Sequence, residues 1–317
     1  MEYKEFLCRI RKCVEELCDN ETKVSLHQVK KNNSMTKDAL LIQKEGESVS
    51  PTIYLDSFYE NYLNGEDVYE IAERIIAIYE ENNIHEHLNP DDLFEYENIK
   101  KRIIFKLINT EKNTELLQTL PHRQLNNLSI IYCLFLDSIF GDYATTIINN
   151  FHIMKWNLTE NDLFRLAYDN TIEICNKEFR TMNEIMVDML MSDGISEDLR
   201  ESILLQLESD NTSLPMYVLT NKYRLFGASL IIYDDILKDI SDKIGDFYII
   251  PSSIHEVIII PVSSGMDEEH MSGMVGEVNA TQVAYDEVLS DNIYLYNNDT
   301  GINMINRDLI TTHYIIT

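Results

Sequence analysis

Along this chain, stretches with a helical hydrophobic period give way to stretches with a strand period, and the changes set the expected elements. From residue 2 to about 19, Phe6, Ile10, Val14 and Leu17 recur at the spacing of one helical face. From Thr22 to Tyr54 short alternating segments such as Lys23–Val29, separated by Asn32, Asn33 and Ser34 and by Glu45-Gly46-Glu47, predict two or three antiparallel strands. Aromatics at helical intervals in Tyr54–Tyr62 suit a core. Asp67–Tyr79 then puts Val68, Ile71, Ala72, Ile75 and Tyr79 on one stripe, with carboxylates near its start where the helix dipole favours them.

A polar stretch at 82–92 marks a boundary. Beyond it the pattern predicts an apolar strand at Arg102–Ile108, a helix near Thr114–Leu120, and strands near Leu128–Leu136 and Thr145–Ile148. Thr159 is placed to cap a helix, with Asp162 in its first turn, and a further helix is expected at Glu197–Glu208. After Met216 the chain is strand-rich: Met216–Thr220, Ala228–Tyr233, Phe247–Ile250, Glu256–Ile260 and Asn292–Tyr296. Helices near Asp235–Ile244 and His270–Ser290 accompany these strands, and Asp299-Thr300-Gly301 turns the last one back. The expected fold class is α+β: a small N-terminal α-β-β-β-α unit, then a larger mixed α/β region with a largely antiparallel C-terminal sheet. The expected domains are 1–90, a helix-rich central region at 91–210, and an acidic strand-rich α+β domain at 211–317.

Composition narrows the function classes. A chain of 317 residues that is 44% hydrophobic can bury a sizeable core, and 10 Gly with 6 Pro argue against fibrous or linker-rich architectures. With 54 acidic and 26 basic residues, the net charge of −28 repels nucleic-acid phosphates and anionic lipid headgroups. After Arg200, 18 acidic residues face five basic ones (Lys222, Arg224, Lys238, Lys243, Arg307), a surface that keeps a protein soluble and suits a basic protein partner or a mimic of DNA. Cys8, Cys13, Cys18, Cys133 and Cys175 contain no CxxC pair, so no disulfide framework or zinc site is expected, and a reducing cytoplasm fits. The N-terminus lacks a signal-peptide apolar core. The longest nearly apolar run, Leu128–Phe140, contains Asp137 and falls short of the roughly 20 residues a membrane span needs.

Chemistry is thinly encoded. Ser252, Ser253, His255 and Glu256 supply the types needed for nucleophile, base and orienting acid, between two apolar runs. On a strand His255 and Glu256 point to opposite faces, so distant residues such as Asn221 and Asn279 would have to complete a site. The alternative is that Pro251, Ser252 and Ser253 make a hairpin turn and His255 caps backbone groups. Lys222 and Arg224 form a short basic loop suited to an anion, without the glycine-rich turn of a phosphate cradle. His85-Glu86-His87 lacks a third ligand, and His255 begins no zinc-protease motif, so neither a metal nor a cofactor is expected.

Tyr54-Leu-Asp-Ser-Phe-Tyr59, Pro121-His122-Arg123, Leu219-Thr-Asn221, Gly227-Ala228, Ile250–Val257, Glu277-Val-Asn279 and Val288-Leu-Ser-Asp291 form a set by which the chain resembles a clostridial (Firmicutes) family catalogued as a domain of unknown function. The resemblance covers nearly the whole chain. It implies an intracellular bacterial protein among accessory genes and carries over no catalytic residue. The leading expectation is a cytoplasmic protein-binding module without catalytic activity. The alternatives are a hydrolase or other small-molecule enzyme built around Ser252, His255 and Glu256, and an acidic DNA mimic.

Overall fold

Phe6, Leu7, Ile10 and Val14 form the buried stripe of α1 (Tyr3–Leu17), as their spacing requires. The computed structural model describes residues 1–44, 51–81, 95–136, 144–191, 203 and 215–305. Strands β1 (Thr22–Lys30), β2 (Thr36–Lys44) and β3 (Thr52–Tyr54) follow as one antiparallel sheet. Val24 opposes Ile42, and Leu40 opposes Ile53, which makes one face apolar. Helices α2 (Asp56–Leu63) and α3 (Val68–Glu81) complete the unit, and its apolar cluster of Phe6, Ile10, Leu40, Ile42, Ile71 and Ile75 contains, among the described residues, none beyond Tyr79.

The second sheet is centred on a strand that is buried along almost its whole length. After α4 (Tyr96–Ile99) come β4 (Ile103–Asn109), α5 (Thr114–Leu117), β5 (His122–Leu125), β6 (Leu128–Leu136) and β7 (Ala144–Ile147). One edge of β6 pairs with β4 over Leu128–Leu134; β5 and β7 therefore share its other edge, end to end. Helices α6 (Asn150–Trp156) and α7 (Glu160–Cys175) each begin with a capping box, Asn149 with His152 and Thr159 with Asp162. Packing of α7 sets Phe164 against Phe105 at 5.1 Å, while Thr171 Oγ1 accepts the Phe105 N–H at 3.0 Å and so terminates the β4 edge.

The third sheet is six-stranded and antiparallel throughout. It takes β8 (Lys177–Thr181), β9 (Tyr217–Asn221), β10 (Phe247–Ile250), β11 (Val257–Pro261), β12 (Ile293–Asn297) and β13 (Gly301–Ile305) in the order β13-β12-β10-β11-β9-β8. Between them lie α8 (Met182–Met191), α9 (Asp234–Ile244) and α10 (Glu268–Thr281). Phe247, Ile249, Ile259 and Tyr294 face a core shared with β4, β6, α7 and α9; Tyr248, Ile250, Ile260 and Ile293 face Met271 and Val275 of α10. A sheet buried on both sides reads as unbroken apolar runs, which is why β10 and β11 lack polar alternation.

Two sequence expectations change. Ala228–Tyr233 is not a strand: Gly227–Ile232 is a 3-10 helix, entered through Phe226 at φ 54. Gly227 packs so closely that a Cβ there would lie 2.4 Å from the His255 carbonyl oxygen and 2.5 Å from Thr220 Oγ1. The helix expected at His270–Ser290 runs over Glu268–Thr281, because Tyr285–Asp291 is bound by side chains from the β1–β2 turn, from the end of β4 and from α10 itself. Glu45–Glu47, His85-Glu86-His87 and, Ile203 apart, Glu197–Glu208 lie outside the described residues. Among the described residues no helix is long and apolar enough to cross a membrane.

Candidate functional site

The connection from β10 to β11 carries the serines and histidine, and its polar atoms turn back onto the main chain. Ser253 Oγ accepts the His255 N–H at 3.0 Å, the Ser252 carbonyl accepts Leu289 N–H at 3.1 Å, and Ile254 N–H donates to the Glu287 carbonyl at 2.9 Å. His255 Nδ1 accepts the Phe226 N–H at 3.4 Å, its ring stacks on Phe226 at 5.9 Å, and Nε2 lies 3.6 Å from Glu287 Oε1. A neutral ring that accepts at Nδ1 carries its proton on Nε2, the side of Glu287. The carboxylate beside His255 is thus Glu287, while Glu256 lies with Glu178, Thr220 and Ile258 on the wall that faces α8. Among the described residues no hydrogen bond joins a serine hydroxyl to the ring.

Asn221 closes the neighbouring turn. Its Oδ1 accepts from Tyr223 N–H at 3.0 Å and Leu225 N–H at 3.3 Å, and its Nδ2 donates to the Leu225 carbonyl at 2.7 Å. This holds Arg224 at φ 50 and Phe226 at φ 54, the left-handed region that ordinary side chains avoid. Asn221, Ser253 and His255 therefore meet around Leu225 and Phe226, whereas Asn279 works elsewhere: its Nδ2 donates to the Ser290 carbonyl at 3.0 Å and Asp291 Oδ1 at 2.7 Å. Lys222 is exposed over the Tyr223 ring at 4.5 Å.

Asn279 belongs to a junction that links the three sheets. From the β1–β2 turn, Asn33 Nδ2 donates to the carbonyls of Tyr285 and Val288, both at 2.7 Å, and its Oδ1 accepts from Asn113 Nδ2 at 3.0 Å. Asn32 Nδ2 reaches the Asp286 carbonyl at 3.0 Å, Asn109 Nδ2 the Leu289 carbonyl at 3.1 Å, and Lys37 pairs with Asp286 at 3.1 Å. Main-chain carbonyls in a connecting segment need donors when they are buried, and asparagine amides supply them here in place of a strand ladder.

Lys106 is the one cation in the apolar strand β4. Its ammonium lies 4.7 Å over the Phe226 ring, and burial holds its pKa below the ordinary lysine value. Burial likewise pushes the Cys133 thiol up to about 11, which removes it from nucleophilic chemistry near neutral pH. Arg123 makes paired hydrogen bonds to Glu160 at 3.2 and 2.9 Å and lies 3.8 Å over Phe164, and Tyr132 OH also bonds Glu160. The Pro121-His122-Arg123 stretch thereby fastens β5 to the start of α7.

Two concave surfaces flank these elements. One is a cavity of about 140 Å³ between the β8-β9-β11 face and α8, with Arg224 and Glu256 on its wall. The other is an open depression of about 720 Å³ along α10, lined by Asp267, Glu269, His270, Gly273, Met274 and Glu277. Among the described residues no three histidine, cysteine or acidic side chains are grouped to hold a metal ion. Glu287, Phe226, Lys106 and Asn33 escaped sequence reasoning. Of these, only Lys106 in an apolar strand and the positive-φ tendency of asparagine at Asn33 carried a signal.

One family model, described as a family of unknown function (DUF5688), matches residues 3–298. No curated protein and no solved structure matches the chain.

Proposed function

Since the chain belongs to the DUF5688 family, whose function is unknown, no activity comes with membership, and we propose a function from its own residues: a cytoplasmic accessory protein of clostridial (Firmicutes) type that binds a basic protein partner and catalyses nothing. The observation that carries this reading is the engagement of Ser253, His255 and Asn221 with main-chain groups, which leaves the histidine no free acceptor nitrogen for a substrate proton. A hydrolase would need that nitrogen turned toward a serine hydroxyl. The acidic depression along α10 is the partner's place, since Asp267, Glu269 and Glu277 are exposed on one helix around Met274. The exposed acids of α9, Asp235 and Asp242, lie on the other side of the six-stranded sheet, an arrangement unlike the single phosphate-like row of a DNA mimic.

The test is recovery of the tagged full chain from its native host at low and high salt, alongside a variant carrying Asp267→Asn, Glu269→Gln and Glu277→Gln. A stoichiometric basic protein should accompany the parent at low salt and be lost both at high salt and from the variant. Recovery without a stoichiometric partner, or equal retention by the variant, overturns the reading.

A further inference from the structure

The cavity beneath α8 is built from two rows of side chains on one sheet face. Antiparallel register sets Glu178 opposite Thr220 and Arg180 opposite Val218, and Val218 opposite Ile258 of β11. Glu256, one residue ahead of the Val257–Leu219 pair, extends the Glu178–Thr220 row across a third strand. Over these rows α8 lays Met182, Ile185 and Met186.

Some of the polar groups on this wall are already engaged. Arg180 pairs with Asp188 at 2.5 Å and donates to the Glu184 carbonyl at 3.3 Å, and Thr220 Oγ1 donates to the His255 carbonyl at 2.8 Å. Three groups remain without a hydrogen bond or ion pair to any described side chain: the carboxylates of Glu178 and Glu256 and the guanidinium of Arg224. Asn221 pins the turn that carries Arg224, and the Arg224 N–H donates to the Asn221 carbonyl at 2.8 Å. A methionine- and isoleucine-lined chamber thus has two carboxylates and one guanidinium placed on its wall with their hydrogen-bonding capacity open.

Size and charge together select a ligand. At about 140 Å³ the cavity is close to the roughly 150 Å³ that admits benzene and well below the roughly 300–1,000 Å³ of drug-sized sites, so nucleotides, sugar phosphates and peptides are too large. We infer that this cavity binds a free α-amino acid with an apolar side chain of leucine or methionine size. The ligand carboxylate meets Arg224, its ammonium donates to Glu178 and Glu256, and its side chain lies against Met182, Met186 and Ile258. A simple amine leaves the guanidinium unmatched, and a simple carboxylic acid brings a third negative charge to two. The inference is independent of the partner proposed for α10, which lies on other residues.

Calorimetric titration of the full chain tests it, with L-leucine, L-methionine, 3-methylbutylamine and 4-methylpentanoate as probes. One of the two amino acids should bind, and deleting either its carboxylate or its ammonium should weaken binding about tenfold or more. Arg224→Gln and Glu256→Gln should each weaken the same amino acid by a similar factor, with circular dichroism showing the fold retained, while Lys222→Gln on the same turn should leave it unchanged. No heat or saturation with either amino acid up to about 10 mM overturns the inference, as does amine or acid analogue binding as tight as that of the amino acid.

Discussion

The N-terminal sheet and the six-stranded sheet bury their apolar residues in different ways. In β1 and β2 a single face is buried, and the cluster it forms with α1 and α3 ends at Tyr79. In β10 and β11 both faces are covered, and one of them joins a core that takes residues from Ile99 to Tyr296. The N-terminal unit thus gathers its own apolar cluster and meets the rest of the molecule through polar groups, chiefly the asparagine amides of the β1–β2 turn beside the Lys37–Asp286 pair. Apolar contact tolerates small shifts in position, whereas an amide donating to a carbonyl at 2.7 Å fixes both distance and direction. The junction at Tyr285–Asp291 is therefore where the relative placement of the sheets is specified.

The largest expected effect comes from breaking that junction. Asn33→Ala removes two donated hydrogen bonds to main-chain carbonyls and one accepted from Asn113, and puts alanine at φ 59. At about 1 kcal/mol for each bond and about 1 kcal/mol for the left-handed backbone, the loss should be about 4 kcal/mol in urea unfolding. The N-terminal unit, having its own core, should then melt in a transition separate from the remainder. Asn33→Gly keeps the backbone geometry without the bonds and should recover only the backbone part. A loss under about 1 kcal/mol for the alanine variant would mean that apolar contact joins the two regions after all.

How far the sequence reveals these regions follows from the same contrast. The helical stripes of α1 and α3 and the Thr159–Asp162 capping box were legible because the interactions are local: residues three and four apart, or one turn of helix. The strands of the third sheet were legible as apolar runs, but Ala228–Tyr233 has the same composition and forms a 3-10 helix instead. What decides it is tertiary, the close approach of Gly227 to Thr220 and His255. The polar cluster shows the same limit. His255 stands next to Glu256 in sequence, yet it meets Glu287, 32 residues on, and Phe226, 29 residues back. Neither partner has a spacing that a local pattern detects.

A smaller effect sharpens the contrast from the side of the shared region. Lys106 brings an ammonium into β4, with the Phe226 face as its nearest compensation and no carboxylate within ion-pair distance among the described residues. Burial lowers its pKa, so the folded chain binds this proton less readily than the unfolded chain does. Stability from this group is complete above the unfolded lysine value, about 10.4, and declines as pH falls through that value toward the folded one. Lys106→Met should therefore raise stability at pH 7 by about 1 kcal/mol and flatten the rise in melting temperature as the pH climbs toward the unfolded lysine value of about 10.4. A destabilised Lys106→Met variant would assign the lysine a favourable contact that outweighs its burial.

The smallest effect concerns α6, which contributes no fully buried residue and so depends on its cap. His152 Nδ1 accepts the Asn149 N–H at 3.1 Å, and its ring stacks on Trp156 at 5.5 Å and 17°. Burial, and after it the charge of Lys155, lowers the His152 pKa. A proton on Nδ1 would turn the acceptor into a donor pointed at an N–H, so the folded form holds the ring neutral. The cap's contribution is whole above the unfolded histidine value of about 6.5 and is lost as pH drops through it toward the folded pKa. Trp156 is the chain's single tryptophan, so its fluorescence reports the stacked ring directly. The emission should titrate with a midpoint below about 6.5, and His152→Gln should abolish that titration. A midpoint at or above that value would mean that the ring is not held neutral by the fold, and that α6 is fixed by contacts other than its cap.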